Sequence, residues 1–199
     1  MGARVSRASA GRAAPGGWEL GSLRGRFVEI GGGAASAGLT VCGRLVAEAQ
    51  RAGGLTAWAG LTESCFFPPD WAAAGVDLES LAVVRTGDAR QVWRVCDTLL
   101  RSGGFTLIAA DMPGGIALPF SAQTRLAGLA QHHHAALIAI TRDARGAEPR
   151  GSLVSLRAET EKRRAGHDCF ACAARIVKDK RRPPGWMYEE LCRGADGLC

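Results

Sequence analysis

The segment Gly33-Ala34-Ala35-Ser36-Ala37-Gly38-Leu39-Thr40 has spacing that could do chemistry. In the pattern G-x-x-x-x-G-K-[ST], backbone amides of a glycine-rich turn cradle phosphates. The lysine reaches the outer phosphates, and the hydroxyl that follows it holds Mg²⁺. Every defined position is met except the lysine, where Leu39 stands. A register set without a gap from Glu29-Ile30 puts Gly38 there instead, so neither alignment supplies a cation. No lysine precedes Lys162, and only Lys178 and Lys180 follow it. Further along, Thr106-Leu107-Ile108-Ala109-Ala110-Asp111 reads as an apolar strand ending in an acid, the arrangement that holds Mg²⁺ in phosphoryl-transfer enzymes. An aspartate at a strand end is also a routine turn former. Gly33, Gly38, Thr40 and Asp111 therefore make an expected degenerate nucleotide site. Loop amides and a helix dipole are retained, enough for weak ATP and Mg²⁺ binding, and the charge needed for hydrolysis is missing.

Two other constellations invite a metal reading. His167, Cys169 and Cys172, with Cys192 and Cys199 downstream, have the right ligand types. A strand over Cys169–Val177 points Cys169 and Cys172 to opposite faces, which works against tetrahedral ligation. His132, His133 and His134 end an expected helix and read as a solvated run. No metal is expected at either place. Seven cysteines at irregular spacing look like reduced thiols of a cytoplasmic protein rather than a disulfide framework.

The net charge of +6 is unevenly placed. Arg175, Lys178, Lys180, Arg181 and Arg182 are opposed only by Asp179. Such a cluster suits phosphate, of nucleic acid or nucleotide, or is a solvated basic edge. Trp186 is the one aromatic nearby, so any DNA binding through Arg175, Arg181 and Arg182 is expected to be weak and to rest on phosphate contacts.

These residues need elements to position them. At 199 residues, 47% hydrophobic and 22% charged, the chain has ordinary globular balance, which excludes a disordered, collagenous or coiled-coil protein. No apolar run approaches the roughly 20 residues that span a bilayer, so no membrane role is expected. Residues 1–17, with Arg4, Arg7 and Arg12 and no apolar segment, read as a flexible basic tail rather than a secretory signal. Residues 18–199 read as one domain. Strand and helix patterns alternate at short intervals from Phe27, as in βαβ units feeding a parallel sheet. Strands are expected over Phe27–Ile30, Leu55–Ala59, Leu81–Arg85, Phe105–Ala110 and Ala135–Ile140, the last central. Helices are expected over Leu39–Gln50, Pro69–Ala74, from Asp88 to Arg101, and over Ser121–Gln131. After a polar loop at Asp143–Arg150, strands at Leu153–Arg157, Cys169–Val177 and Trp186–Glu189 follow without helices, as a hairpin-like extension. The fold class is α/β, a mostly parallel twisted sheet flanked by helices with antiparallel C-terminal strands. Ligands of such sheets sit beyond the strands' carboxyl ends, which are the turn after Ile30 and the residue after Ala110.

From Trp18 to Leu191 the sequence resembles the core of the RecA recombinase family, a P-loop NTPase fold. The likeness is carried by Arg24-Gly25-Arg26-Phe27-Val28-Glu29-Ile30, Ala47-Glu48-Ala49-Gln50-Arg51-Ala52-Gly53-Gly54, Gly75-Val76-Asp77-Leu78-Glu79-Ser80-Leu81, Leu100-Arg101-Ser102-Gly103 and Val177-Lys178-Asp179-Lys180 before Pro183-Pro184. The departures bear on activity. Leu39 replaces the phosphate lysine. Thr62 or Glu63, depending on register, stands for the catalytic glutamate, and Arg142 for the glutamine that senses the γ-phosphate. The segment Asp143–Ser155 is short where the family has DNA-contacting loops. The family's polymerising N-terminal helix and strand find no counterpart, so filament assembly is not expected. Lys178 and Lys180 resemble the lysine pair that a recombinase protomer extends into its neighbour's nucleotide site. Short RecA-like proteins with eroded motors, the ImuA class, act in damage-induced (SOS) mutagenesis. The resemblance implies a non-catalytic accessory protein whose partners are RecA or translesion polymerase components. The alternatives are a DNA-binding RecA-like module, an ATPase drawing its cation from Arg142 or Arg44, and a cell-division inhibitor of related fold.

Overall fold

The structure, a computed structural model, describes residues 17–33, 35–64, 66–112, 118–142, 152–167 and 169–193. Residues 1–16 of the expected tail, the polar loop at 143–150, Cys65 and Cys199 lie outside the described residues.

The elements run α1 (Leu20–Leu23), β1 (Arg26–Gly31), α2 (Gly38–Arg51), β2 (Leu55–Leu61), α3 (Pro68–Ala73), β3 (Leu81–Thr86), α4 (Ala89–Arg101), β4 (Phe105–Met112), α5 (Phe120–His132), β5 (Ala136–Thr141), β6 (Leu156–Arg164), β7 (Cys169–Asp179) and β8 (Met187–Arg193). They form one eight-stranded sheet in the order β3-β2-β4-β5-β1-β6-β7-β8. The first six strands of that order run parallel, and β7 pairs antiparallel with both β6 and β8. This is the α/β architecture that the alternating pattern predicts, with β5 in the middle of the sheet.

Each helix is placed by its apolar stripe. Val41, Cys42, Leu45, Val46 and Ala49 recur at helical spacing on α2 and pack on Val28, Ile30 and Ile138 on one face of the sheet. There Trp58, Phe66 and Trp71 form a ring cluster with centroids 4.9 to 5.4 Å apart, which fixes α3. On the opposite face Val92, Trp93, Cys96 and Leu100 of α4 and Leu126 and Ala130 of α5 cover Phe27, Ile108 and Leu137. Burial pushes the Cys96 thiol up to about 12, which keeps it neutral and inert within this layer. The Asp88 carboxylate caps α4 by accepting from the Arg90 amide at 2.9 Å.

The C-terminal strands are longer and later than their pattern suggests. β6 is Leu156–Arg164 rather than Leu153–Arg157, and β8 is Met187–Arg193 rather than Trp186–Glu189. The charged run Glu159–Arg164 falls outside the expected strands. It forms a strand because it pairs with β7 while one face of the hairpin lies open, so Glu159 meets Arg175 and Arg163 meets Glu189 across strands. Cys172 is buried on β7 and Cys169 is half-buried three positions away. Among the described residues no three potential ligands gather to hold a metal, and no helix is long and apolar enough to cross a membrane.

Candidate nucleotide site

The parallel pairing fixes where the site lies. Register aligns Ile30 with Ile140, Asp111 with Ile140 and Gly31 with Glu159, so the ends of β1, β4 and β5 come level with the middle of β6 beside the turn that leads into α2. Gly33, Gly38, Thr40 and Asp111 thus belong to one end of the sheet.

Within that turn the loop is closed by its own side chains. The Ser36 hydroxyl accepts the Gly38 amide at 3.0 Å and bonds the Thr160 hydroxyl at 2.9 Å. Thr160 in turn donates to the Gly31 carbonyl at 3.0 Å. Because Thr160 spends its one proton on Gly31, the Ser36 proton points to Thr160, and a single chain of bonds runs from the start of α2 through β6 to the end of β1. The Lys162 amide adds a bond to the Ala35 carbonyl at 2.7 Å, and the Ser36 amide one to the Gly33 carbonyl at 3.0 Å. The Gly38 amide, a donor that a phosphate at this helix start would use, is therefore already satisfied. Packing is tight enough that a Cβ on Gly32 would lie 2.6 Å from Ser36 Oγ and 2.8 Å from the Thr160 carbonyl.

The remaining groups of the motif also face elsewhere. Leu39, at the lysine position, packs against the apolar cluster under α2 together with Trp186 and Cys192. Lys162, whose amide bonds the loop at Ala35, holds its ammonium 4.5 Å over the Phe170 ring. Thr40 hydrogen-bonds Cys172 of β7. The Cys192 thiol, the Lys162 charge and Thr40 together draw the Cys172 thiol below its ordinary value against the effect of burial. Cys192 is pushed up by that same bond. Asp111 is 2% exposed at the end of β4, and one Arg142 guanidinium nitrogen lies 3.0 and 3.2 Å from its two oxygens. A phosphate-binding site needs a lysine, and a hydroxyl and a carboxylate turned to Mg²⁺; with Leu39 in the lysine position, Thr40 turned to Cys172 and Asp111 paired with Arg142, these residues do not fit ATP and its metal on those terms.

The chain belongs to the RecA N-terminal domain family. That family matches residues 12–139, well over half of the sequence. Protein RecA of Rubrobacter xylanophilus is 41% identical over 88 residues, which are 44% of this chain and 25% of that protein. Protein RecA of Laribacter hongkongensis is 39% identical and that of Mesorhizobium japonicum 38% identical, each over 88 residues covering 44% of this chain and 25% and 24% of those proteins. The matched stretch thus spans about a quarter of the length of these relatives.

The other expected residues are dispersed within the RecA-like fold. Thr62 donates to the Thr86 carbonyl from both its amide, at 2.9 Å, and its hydroxyl, at 3.2 Å, while Glu63 is exposed. Arg44, an alternative cation, is on the far side of α2, bonded to Tyr188 and Glu190 of β8. Lys178 is half-buried, with its ammonium 3.2 Å from the Ser152 carbonyl, whereas Lys180 is exposed just beyond β7. Burial, with Lys180 and Arg157 nearby, lowers the Lys178 ammonium from its ordinary value. Between them the Asp179 carboxylate turns inward to Arg26 at 2.5 Å, with both side chains within 2% of full burial. Arg175 reaches Glu159 at 2.7 Å, and Arg181 donates to the Arg24 carbonyl at 3.4 Å. Arg182 follows it, exposed.

Sequence reasoning missed three features. They are the pairing of Arg142 with Asp111, the Ser36 bonds that close the loop, and the buried pair of Glu29 and Arg157. Glu29 and Arg157 stand opposite each other on β1 and β6 with 3.3 Å between charged atoms. The available signal for that pair was Glu29, a charge standing between Val28 and Ile30 in an apolar run.

Proposed function

We propose that this chain is a non-catalytic RecA-like adaptor of the cytoplasm, acting in DNA-damage-induced (SOS) translesion mutagenesis on RecA or on the error-prone polymerase assembly. The observation that carries the reading is the pair between Arg142 and Asp111. In a working motor the strand-end acid is left for Mg²⁺, and here it is taken by the residue at the γ-phosphate sensor position. Leu39 in the lysine position and the Ser36 bond to Gly38 agree with it. What is kept of the recombinase pattern is the pair Lys178 and Lys180. A protomer that presents those lysines and lacks a working nucleotide site of its own can dock on the exposed ATP face at one end of a RecA filament and accept no further subunit. It thereby caps the filament.

The test is association of the purified chain with RecA on single-stranded DNA in the presence of a slowly hydrolysed ATP analogue. Lys178→Glu with Lys180→Glu abolishes it while thermal melting is little changed. Association that is nucleotide-independent, or untouched by the double reversal, contradicts the capping role. Recovery of RecA or a translesion polymerase with tagged protein from DNA-damaged cells tests the pathway itself.

A further inference from the structure

A cavity of about 480 Å³ opens between α4 and α5, on the sheet face opposite α2. That volume lies in the range of about 300 to 1,000 Å³ typical of ligand pockets. Its floor is apolar, made by Trp93, Leu118, Ala122 and Leu126, and three arginines, Arg90, Arg94 and Arg125, stand around it.

The charge at this rim is one-sided. The nearby acid on α4, Asp97, is occupied by Arg101 at 2.9 Å and by Arg125 at 2.7 Å, which ties α4 to α5 at one end of the cleft. Among the described residues Arg90 and Arg94 have no acidic partner. They are exposed and four positions apart on α4, hence neighbours on one face of the helix. Phe120, 65% exposed at the first position of α5, follows directly on the cavity-lining Pro119. An apolar hollow with an exposed aromatic at its edge and unpaired arginines on its rim offers donors and apolar surface, and its partner must bring acceptors and apolar side chains.

We propose that this cavity is a docking site for a short peptide segment carrying one or two large apolar side chains flanked by carboxylates. Nucleic acid fits the same surface less well. Trp93 is 7% exposed, and its ring is set edge-on to Phe27, with centroids 6.0 Å apart at 79°, so it offers no open face for a base to stack on. Two free arginines one helical turn apart make a point of positive charge rather than a track for a phosphate backbone. The cavity shares no residue with the nucleotide loop, so the site stands whether or not the adaptor reading holds.

The probe is a fluorescein-labelled peptide pool of the form Glu-Glu-X-X-Glu-Glu, with X drawn from Leu, Ile, Phe, Met and Trp, titrated with the full chain. Saturable binding is expected, weakened at least about tenfold by Arg90→Glu with Arg94→Glu, through loss of two charge-assisted contacts. Arg90→Glu puts an acid in the first turn of α4, where the helix dipole favours it, so the fold is retained and thermal melting verifies it. Ala122→Trp, which fills the hollow and leaves the charge alone, also removes binding. A pool with Lys in place of Glu does not bind. The proposal is overturned by no saturation up to about 1 mM, by binding indifferent to these variants, or by equal binding of the lysine pool. It is equally overturned, in favour of nucleic acid, if a labelled oligothymidylate binds more tightly than the peptide pool and depends on the same arginines.

Discussion

Arg142 lies against Asp111 with one guanidinium nitrogen 3.0 and 3.2 Å from the two carboxylate oxygens. The acid is buried and the arginine side chain is 46% exposed. The pair links the end of β4 to the residue after β5, the crevice where a doubly wound sheet places its ligand. Arg142→Gln removes the cation and keeps a donor. It is expected to lower unfolding stability by about 1 to 2 kcal/mol, the range for a charge-assisted bond discounted for the exposure of one partner. Urea denaturation measures this, and an unchanged midpoint means the pair contributes nothing to holding the site.

The closed loop makes a separate prediction. Ser36→Ala breaks the bond chain from Gly38 to Gly31 and costs about 1 kcal/mol. Gly32→Ala forces a methyl to within 3 Å of both Ser36 and a backbone carbonyl of β6, and costs about 1 to 3 kcal/mol. Combining the two recovers part of the loss, since the contact with Ser36 Oγ goes while those with the Cβ at position 36 and with the Thr160 carbonyl stay. Strict additivity in the double variant shows that Ser36 does not fill the loop as described.

Asp179 gives the pH dependence. Burial alone raises its carboxyl, but the Arg181 amide and the Arg26 guanidinium outweigh burial and hold it below the ordinary carboxylate range. A carboxyl depressed in the folded state contributes stability that is complete above the unfolded value of about 3.9 and is lost as pH falls through the folded one. Asp179→Asn is therefore expected to flatten the acid limb of the stability profile below about pH 4. At neutral pH it costs about 3 to 5 kcal/mol, because Arg26 is left buried without a counter-charge. Chemical denaturation at pH 3, 5 and 7 separates the two effects, and an equal acid slope in both proteins contradicts the assignment.

The parallel half of the fold was legible because its signals are local. Alternating apolar runs, Asp88 as a cap and glycine stops place β1 to β5 and α2, α4 and α5 within a residue or two. The three C-terminal strands were harder. The charges of Glu159 to Arg164 find their partners on β7 and β8, and a window along one strand carries no sign of that. The site was legible in its composition and not in its wiring. The missing lysine can be read directly, but the bonds from Ser36 to Thr160 and from Arg142 to Asp111 join residues 124 and 31 positions apart.

Steady-state phosphate release from ATP tests the central claim most directly, measured for the wild-type chain, Asp111→Ala and Leu39→Lys with and without single-stranded DNA. With no phosphate cation, a loop amide already bonded and the acid paired to Arg142, wild type is expected to match the Asp111→Ala background. Leu39→Lys improves nucleotide binding at most. Sustained multiple turnover by wild type that disappears in Asp111→Ala contradicts the account.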